Sequence, residues 1–280
     1  MANVTIIPEV YATIVTERVQ GNIKISTLAD DYGILENSKE GNSITFPMFK
    51  ALSDAELLTK GNAITVEELS QTSSKKEVFH PAKGVEIYDE DSISALGQWV
   101  ENGMTQQARV IAKKIDDEMV KDIDTNVILK TATANAKVIT DDELMAGFQL
   151  FGDAQDNGDF AGIVVHSLLA PSFYKMDSFI KKDVTTSAEY NGQIINGCIG
   201  YYRGTIPVML SDINTYDSVK AECKSYIIKK SALGIMKKRD ILVEPERDAS
   251  KKKTNIYTDT FVACGLVMKD GVCVLRKTIV

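Results

Sequence analysis

The feature that most constrains the fold of this chain is a run with helical periodicity near residues 89–124. Apolar side chains recur along it three or four positions apart, which places them in one stripe on an α-helix. Acidic residues at 89–91, followed by Ser92, supply an N-cap and an acidic first turn, which suits the helix dipole. At 1.5 Å per residue this helix is about 50 Å long, longer than a small domain is wide. The stripe consists of Ile93, Leu96, Val100, Met104, Ala108, Ile111, Ile115, Met119 and Ile123.

A helix of this length belongs either to an elongated, shape-building subunit or to a coiled coil. The stripe does not keep strict heptads with Leu, so the elongated subunit is favoured. With 280 residues, of which 44% are hydrophobic, the chain can build one or two domains around such a rod.

The net charge of −7 argues against a protein that binds nucleic acid through a basic surface, because phosphate contacts need clustered Lys and Arg. No apolar run reaches about eighteen residues, so no membrane-spanning segment is predicted. Residues 1–10 lack the basic and apolar regions of a signal peptide, which predicts a cytoplasmic protein.

Two segments before the long helix lack the apolar content of a domain. Residues 1–38 contain one short helical pattern and predict an N-terminal arm that packs on something else, such as another subunit. Residues 39–88 predict an extended β-hairpin loop, with Pro47 marking an edge strand, a turn at 60–62 and a returning strand over 77–88. A projecting ribbon of this kind needs a partner to cover it.

Residues 128–236 follow the pattern of a compact α/β domain. Thr140 and Glu143 form a capping box that predicts a helix to about residue 153, with Leu144, Phe148 and Phe151 on its buried face. The apolar run 163–165 predicts a buried strand. A second helix is predicted over 168–182, followed by strands at 194–202 and 205–210.

The C-terminal stretch is rich in strand patterns. Turn chemistry at 269–271 predicts a hairpin over 261–277. Packed on the long helix, these strands would form a second, elongated α+β domain. The predicted strands cover residues 225–230, 234–237, 242–244, 255–268 and 272–277.

The residues with chemical potential do not form an active site. His166 ends the buried strand and could act as a base, but no nucleophile motif accompanies it, and a hydrogen-bonded structural role is favoured for it and for His80. Asp153, Asp156 and Asp159 lack the closing Glu of a calcium loop.

Two further sets of residues have simple structural interpretations. In the run 116–118 the acids lie four residues after Lys113 and Lys114, which indicates solvated ion pairs. The cysteines have no C-x-x-C spacing and predict reduced, buried thiols; they are Cys198, Cys223, Cys264 and Cys273. We predict no catalytic residue, no cofactor and no metal site.

The order of arm, strand loop, long helix, α/β domain and returning strands resembles the major capsid protein of tailed bacteriophages, the Hong Kong 97-like fold. Local segments resemble that family's extended loop, spine helix and return between its domains. They are Gly41-Asn-Ser-Ile-Thr-Phe-Pro-Met-Phe, Gly61-Asn-Ala-Ile-Thr, the acids of 89–91, Tyr226-Ile-Ile-Lys-Lys-Ser-Ala-Leu-Gly and Val243-Glu-Pro-Glu-Arg-Asp.

The resemblance implies an α+β fold with four parts. These are an N-arm at 1–38, an extended loop at 39–88, a peripheral domain with the spine helix at 89–127 and 237–280, and an axial domain at 128–236. Copies would form hexamers and pentamers of an icosahedral shell around double-stranded DNA, without sequence-specific binding. A separate scaffolding protein is implied, with a portal and decoration proteins as further partners, and the virion as location after assembly in the host cytoplasm.

Three alternatives stay open. An encapsulin-like nanocompartment shell would share the fold, and a phage tail tube or sheath component would also self-associate. A cytoplasmic α/β enzyme with His166 as its base is the third. Some members of the capsid family link a loop lysine to an asparagine of a neighbour, but nothing selects a pair among Lys60, Lys75, Lys76, Lys83 and Asn255.

Overall fold

The computed structural model describes residues 8–34, 43–49, 57, 64, 66–69, 71–94, 98–181, 189–190, 193–194 and 197–279. Its helices are α1 (Pro8–Asn22), α2 (Asp89–Ser94), α3 (Trp99–Asn126), α4 (Asp141–Gln149) and α5 (Ala170–Phe173), with 3₁₀ turns at Ile25–Leu28, Asn157–Asp159 and Ser167–Leu169. Its strands are β1 (Asp30–Ile34), β2 (Ser43–Phe49), β3 (Gln71–Glu77), β4 (Ala82–Tyr88), β5 (Leu129–Ala132), β6 (Phe160–Val165), β7 (Phe179–Lys181), β8 (Glu189–Tyr190), β9 (Gln193–Ile194), β10 (Cys198–Tyr202), β11 (Ile206–Leu210), β12 (Tyr216–Asp217), β13 (Glu222–Cys223), β14 (Ser225–Lys229), β15 (Leu233–Asp248), β16 (Lys253–Leu266) and β17 (Val272–Arg276).

The long helix is α3, which runs for 28 residues, or about 42 Å. The predicted stripe is its buried face: Ala108, Ile111, Ile115, Met119 and Ile123 are all buried there. The predicted N-terminal part, 89–94, is the separate helix α2, and residues 95–97 between them lie outside the described residues. No helix of the described residues is both long and apolar enough to span a membrane.

A seven-stranded sheet separates two cores. Its order is β5-β17-β14-β6-β11-β10-β7, and β6 is buried along its whole length, as the apolar run predicts. Side chains alternate across it: Val164 and Tyr226 enter the core that contains α1 and α3, whereas Ile163 and Ile227 enter the core beneath α4. The predicted capping box of α4 is confirmed, because Thr140 and Glu143 exchange side chain–backbone hydrogen bonds of 2.7 and 3.4 Å.

A four-stranded sheet, β1-β15-β16-β4, packs against α3 and α1. Its centre is a long ribbon in which β15 and β16, of 16 and 14 residues, pair along their full length. The separate strands predicted at 234–237 and 242–244 are therefore parts of β15. Two irregularities in the register between Lys237 and Leu242 explain the gap in the pattern.

Two predictions are wrong, one in the α/β region and one in the C-terminal stretch. The helix predicted over 168–182 ends at Phe173, and residues 179–181 form β7 instead, because pairing with β10 buries Phe179 beside Phe173. The hairpin predicted over 261–277 does not form. Strand β16 pairs with β15 and β4, whereas β17 pairs with β14 and β5, so the turn at 269–271 carries the chain from one sheet to the other.

The predictions for the N-terminal segments also need correction. Helix α1 packs on α3 and β15 of its own chain, since Tyr11, Val15 and Val19 form a buried stripe four residues apart. The strand that returns to β2 is β3, at Gln71–Glu77, and therefore lies earlier than the predicted 77–88. Within the predicted range, Ala82–Tyr88 form β4, which joins the four-stranded sheet beside β16. The boundaries of the four predicted parts stay predictions.

Candidate assembly surfaces

The β2–β3 hairpin has one buried and one exposed face at its base, over residues 43–47 and 73–77. Side chains alternate so that Ile44 and Phe46 are buried, whereas Thr45, Pro47 and Lys75 are exposed. Ile44 and Phe46 pack with Ala263 and Val267 of the body. The chain's own surface therefore covers the hairpin base, which the sequence alone left without a partner.

A second attachment of the hairpin is ionic. The Lys76 ammonium group lies 2.5 Å from the Asp122 carboxylate on α3, and both side chains are largely buried. The same carboxylate oxygen accepts a hydrogen bond of 2.6 Å from the backbone N–H of Leu266, at the end of β16. Lys76 lies directly opposite Ile44 in the hairpin, so the ionic and apolar attachments act on the same face of the ribbon.

The segment that joins β2 to β3 exposes apolar side chains where the structure describes it. Leu57 is 100% exposed, Ile64 74%, Val66 91% and Leu69 58%. Acidic side chains at 67 and 68 accompany them. Apolar groups concentrated in one exposed segment are typical of an interaction surface rather than of an isolated subunit.

A groove of about 450 Å³ opens on the four-stranded sheet, on strands β4, β15 and β16. Its walls are part apolar and part charged. The Asp259 carboxylate lies 2.6 Å from Nε2 of His80 and also binds Arg239, and the rings of His80 and Phe261 stack 4.0 Å apart. We call this the open groove; its lining is His80, Ala82, Lys83, Gly84, Arg239, Leu242, Glu244, Tyr257, Thr258 and Asp259.

Two more acids of α3, Asp116 and Asp124, each bind a different segment of the chain. Asp116 is fully buried and accepts hydrogen bonds of 2.8–3.0 Å from the N–H groups of Lys24 and Ser26 and from the Ser26 hydroxyl. Burial raises the pKa of Asp116, although these donors oppose the shift. Asp124 binds Lys224 at 2.5 Å and the Tyr226 hydroxyl at 2.9 Å.

The other acids of the run 116–118 form surface pairs, one of which was predicted. Glu118 lies 2.6 Å from Lys114, four residues earlier, as predicted, whereas Asp117 lies 2.7 Å from Lys121, four residues later, rather than pairing with Lys113. These lysines hold the pKa of Glu118 below its usual value. Asp116, by contrast, is buried and forms no surface ion pair, so the interpretation of the whole run as solvated pairs was wrong for this residue. The signal was present, because Asp116 lies four residues from both Ala112 and Val120, which are buried on the same helix face.

The histidines weighed as functional residues have structural contacts. Nδ1 of His166 accepts a hydrogen bond of 3.1 Å from the N–H of Leu168, its Nε2 lies 3.5 Å from Asp212, and its ring packs on Tyr216. His80 lies in the open groove of the four-stranded sheet, whereas His166 follows β6 of the seven-stranded sheet. The structure therefore does not bring the two histidines together into one site.

The remaining candidate residues do not form a metal-binding cluster in the part of the chain that the structure describes. Asp153, Asp156 and Asp159 border a 3₁₀ turn, and the described residues contain no group of three ligands suited to a metal. All four cysteines are thiols; Cys223, Cys264 and Cys273 are buried, Cys198 partly so. Of the lysines considered for cross-linking, Lys60 lies outside the described residues.

The chain is similar in sequence to a phage capsid protein. It is 25% identical over 255 residues to the major capsid protein of Staphylococcus phage phiMR11, which covers 91% of this chain and 87% of that protein. No protein-family model matches the chain.

Solved structures share the fold. The capsid of the cyanophage P-SCSP1u superposes with a TM-score of 0.60 at 16% identity, over 89% of this chain and 86% of that one. A virus-like particle from Pyrococcus furiosus gives a TM-score of 0.58 at 14% identity, over 96% and 98%. The predicted α+β, Hong Kong 97-like fold is confirmed.

Proposed function

We infer that this chain, a tailed-bacteriophage major capsid protein by sequence and fold, assembles as hexamers and pentamers into an icosahedral shell around double-stranded DNA. The predicted resemblance to that protein family is confirmed, and its place is the virion. The capsomers and the enclosed DNA are the part of this account that we propose.

The observation that carries the proposal is the apolar surface that the subunit exposes in the segment between β2 and β3. Leu57, Ile64, Val66 and Leu69 are 58–100% exposed in the described part of the hairpin connection. Burial of one such side chain contributes about 1.5–3 kcal/mol. A neighbouring copy that covers them supplies a modest contact, and many such contacts in a closed shell add up through multivalency.

We propose the four parts of the sequence prediction: residues 1–38 as the arm, 39–88 as the extended loop, 89–127 with 237–280 as the peripheral domain, and 128–236 as the axial domain at capsomer centres. Three elements join these parts to one another, since α1 of the arm packs on α3, β4 of the loop pairs with β16, and β17 pairs with β14. A separate scaffolding protein, a portal and decoration proteins are the proposed partners. The net charge of −7 suits a shell that confines DNA without gripping its phosphates. The role is mechanical, and we propose no enzymatic activity.

A nanocompartment shell is the second candidate. It is favoured by the similarity to the virus-like particle from Pyrococcus furiosus, which extends over 96% of this chain. Such a shell would enclose protein cargo in place of DNA, so the contents of the particle separate the two functions.

The test is to purify particles from cells that make the protein, image them, and treat them with nuclease before extraction. We expect closed particles that protect double-stranded DNA when the rest of the phage is present. Closed particles that hold only protein under those conditions would establish the nanocompartment. Tubes would instead indicate a tail component, and a protein that stays monomeric at high concentration would contradict every shell function.

A further inference from the structure

An ion pair joins the β2–β3 hairpin to α3, and a glycine of the neighbouring strand lies against it. Lys76 projects from the buried face of β3 and meets Asp122 of α3 at 2.5 Å. The pair sits beside Gly265 in β16. A Cβ atom at residue 265 would lie 2.9 Å from Cε of Lys76 and would collide with the Asp122 carboxylate. A residue with a Cβ atom at this position would require the ends of both side chains to shift away from their present contact.

The apolar attachment of the hairpin has the same construction. Phe46 is fully buried, and a Cβ atom at residue 234 would lie 3.0 Å from its ring. Gly234 and Gly265 are paired opposite each other in β15 and β16. Two adjacent glycines therefore let the hairpin approach the sheet at two points, one apolar and one charged.

Two attachments of different kinds define the direction of the hairpin more closely than the apolar one alone. The apolar contact of Ile44 and Phe46 is non-directional. The ion pair adds a directional contact, because Asp122 is itself held by hydrogen bonds from the Leu266 N–H at 2.6 Å and the Asn126 side chain at 2.8 Å. A pair with 10% and 21% exposed side chains is also little weakened by salt.

We propose that Lys76 is a positioning residue for assembly: bound to Asp122, it sets the direction in which the hairpin leaves the body and so presents exposed apolar side chains to a second copy of the chain. These side chains are Leu57, Ile64, Val66 and Leu69. The inference rests on the proposed shell function. In this proposal one buried lysine, rather than the hairpin as a whole, determines the orientation of the exposed apolar segment.

The experiment compares three substitutions that disturb the pair in different ways with two matched controls. Lys76→Met removes the charge and keeps the length, Asp122→Asn keeps an acceptor for Leu266, and Gly265→Ala displaces both partners. Lys75→Met changes the exposed lysine next in the same strand. Gly158→Ala adds a methyl group where no atom lies within 4 Å.

Backbone hydrogen exchange of the unassembled subunit is measured first, then particle yield. We expect exchange in residues 43–49 and 71–77 to be at least about tenfold faster in all three variants. Exchange in β6 and β14 should stay unchanged, and closed particles should fall at least about tenfold. The controls should match the wild type in each readout.

Several results would overturn the inference. One is wild-type protection of the hairpin in Lys76→Met, and another is normal particle yield despite a loosened hairpin. Equal acceleration in β6 and β14 would show that the pair supports the whole fold rather than the hairpin. If the wild type forms no particles when the rest of the phage is present, the shell function fails, and the exchange data alone decide whether Lys76 holds the hairpin.

Discussion

The hydroxyl of Tyr11 donates a hydrogen bond of 2.6 Å to Oε1 of Gln107 in the buried interface between α1 and α3. The amide nitrogen of Gln107 in turn donates to the carbonyls of Lys83 and Ile256, at 3.0 and 2.9 Å. One fully buried amide thus joins four segments distant in sequence: α1, α3, β4 and β16. The N-terminal helix is consequently a structural part of the body that carries the assembly surfaces.

Tyr11→Phe tests this network. Burial raises the pKa of Tyr11 to about 12, so the phenol is a donor throughout the neutral range. Its removal leaves the Gln107 oxygen buried without its partner, and we expect the free energy of unfolding to fall by about 1–2 kcal/mol. Urea denaturation of the unassembled subunit measures it. Tyr174→Phe, at a 46% exposed side chain, is the matched control and should stay within about 0.5 kcal/mol.

Asp116→Ala should loosen the turn that follows α1. The N–H groups of Lys24 and Ser26 lose their buried acceptor, and we expect a cost of about 1–3 kcal/mol. Hydrogen exchange should accelerate at residues 24–28. Glu118→Gln removes only exposed ion pairs on the same helix, so its effect should stay near about 0.5 kcal/mol. Equal effects of the two changes would contradict the anchoring role of Asp116.

The carboxylate of Asp116 also predicts a direction of pH dependence. Its folded pKa is raised, so the folded state holds this proton more tightly than the unfolded state. Its contribution to the free energy of unfolding therefore rises as pH falls through the folded pKa toward about 3.9. In Asp116→Asn this contribution is absent. The urea midpoint of the wild type, taken relative to that of the variant, should therefore be higher at pH 4 than at pH 7.

The pair of Glu222 and Arg276 predicts the opposite dependence. Burial alone would raise the pKa of Glu222, but hydrogen bonds from Arg276 and the Thr278 N–H outweigh it, and the pKa is lowered. The stabilisation is present above about pH 4.3 and is lost as pH falls through the folded pKa. Glu222→Gln should cost about 1–3 kcal/mol at pH 7 and progressively less toward pH 3, measured by urea midpoints. A cost independent of pH would contradict the ion pair.

The open groove predicts an effect on assembly without an effect on folding. Leu242 lines the groove and is 39% exposed in the subunit. Leu242→Lys places a positive charge opposite Asp259 and should leave the free energy of unfolding within about 0.5 kcal/mol, but it should lower particle yield, because a neighbour would have to bury the charge. Leu242→Met keeps an apolar side chain and should assemble normally. Normal particles from Leu242→Lys would exclude the groove from the subunit contacts.

Periodic patterns predicted the elements that are stabilised locally. The stripe from Ala108 to Ile123 identifies α3, and the run 163–165 identifies the buried strand β6, since each pattern alone defines an element and its buried side. The capping box at Thr140 likewise identifies the start of α4. Beyond these elements, the order of segments along the chain was enough to indicate the fold.

Long-range pairings could not be predicted in the same way. The turn at 269–271 has the same chemistry whether the chain folds back on β16 or crosses to β14, and burial of β17 in the larger sheet decides between them. Tyr11, Val15 and Val19 form a stripe too short to indicate which surface they cover. Lys76 looks like any lysine in a polar strand, and only the tertiary fold brings it to Asp122.

The most direct test of the shell account is a cryo-electron microscopy reconstruction of the assembled particle. It should show icosahedral symmetry, with the side chains of Leu57, Val66 and Leu69 of each subunit buried against a neighbouring copy. A closed particle in which these side chains face solvent in every subunit, or an assembly with helical symmetry, would contradict the account.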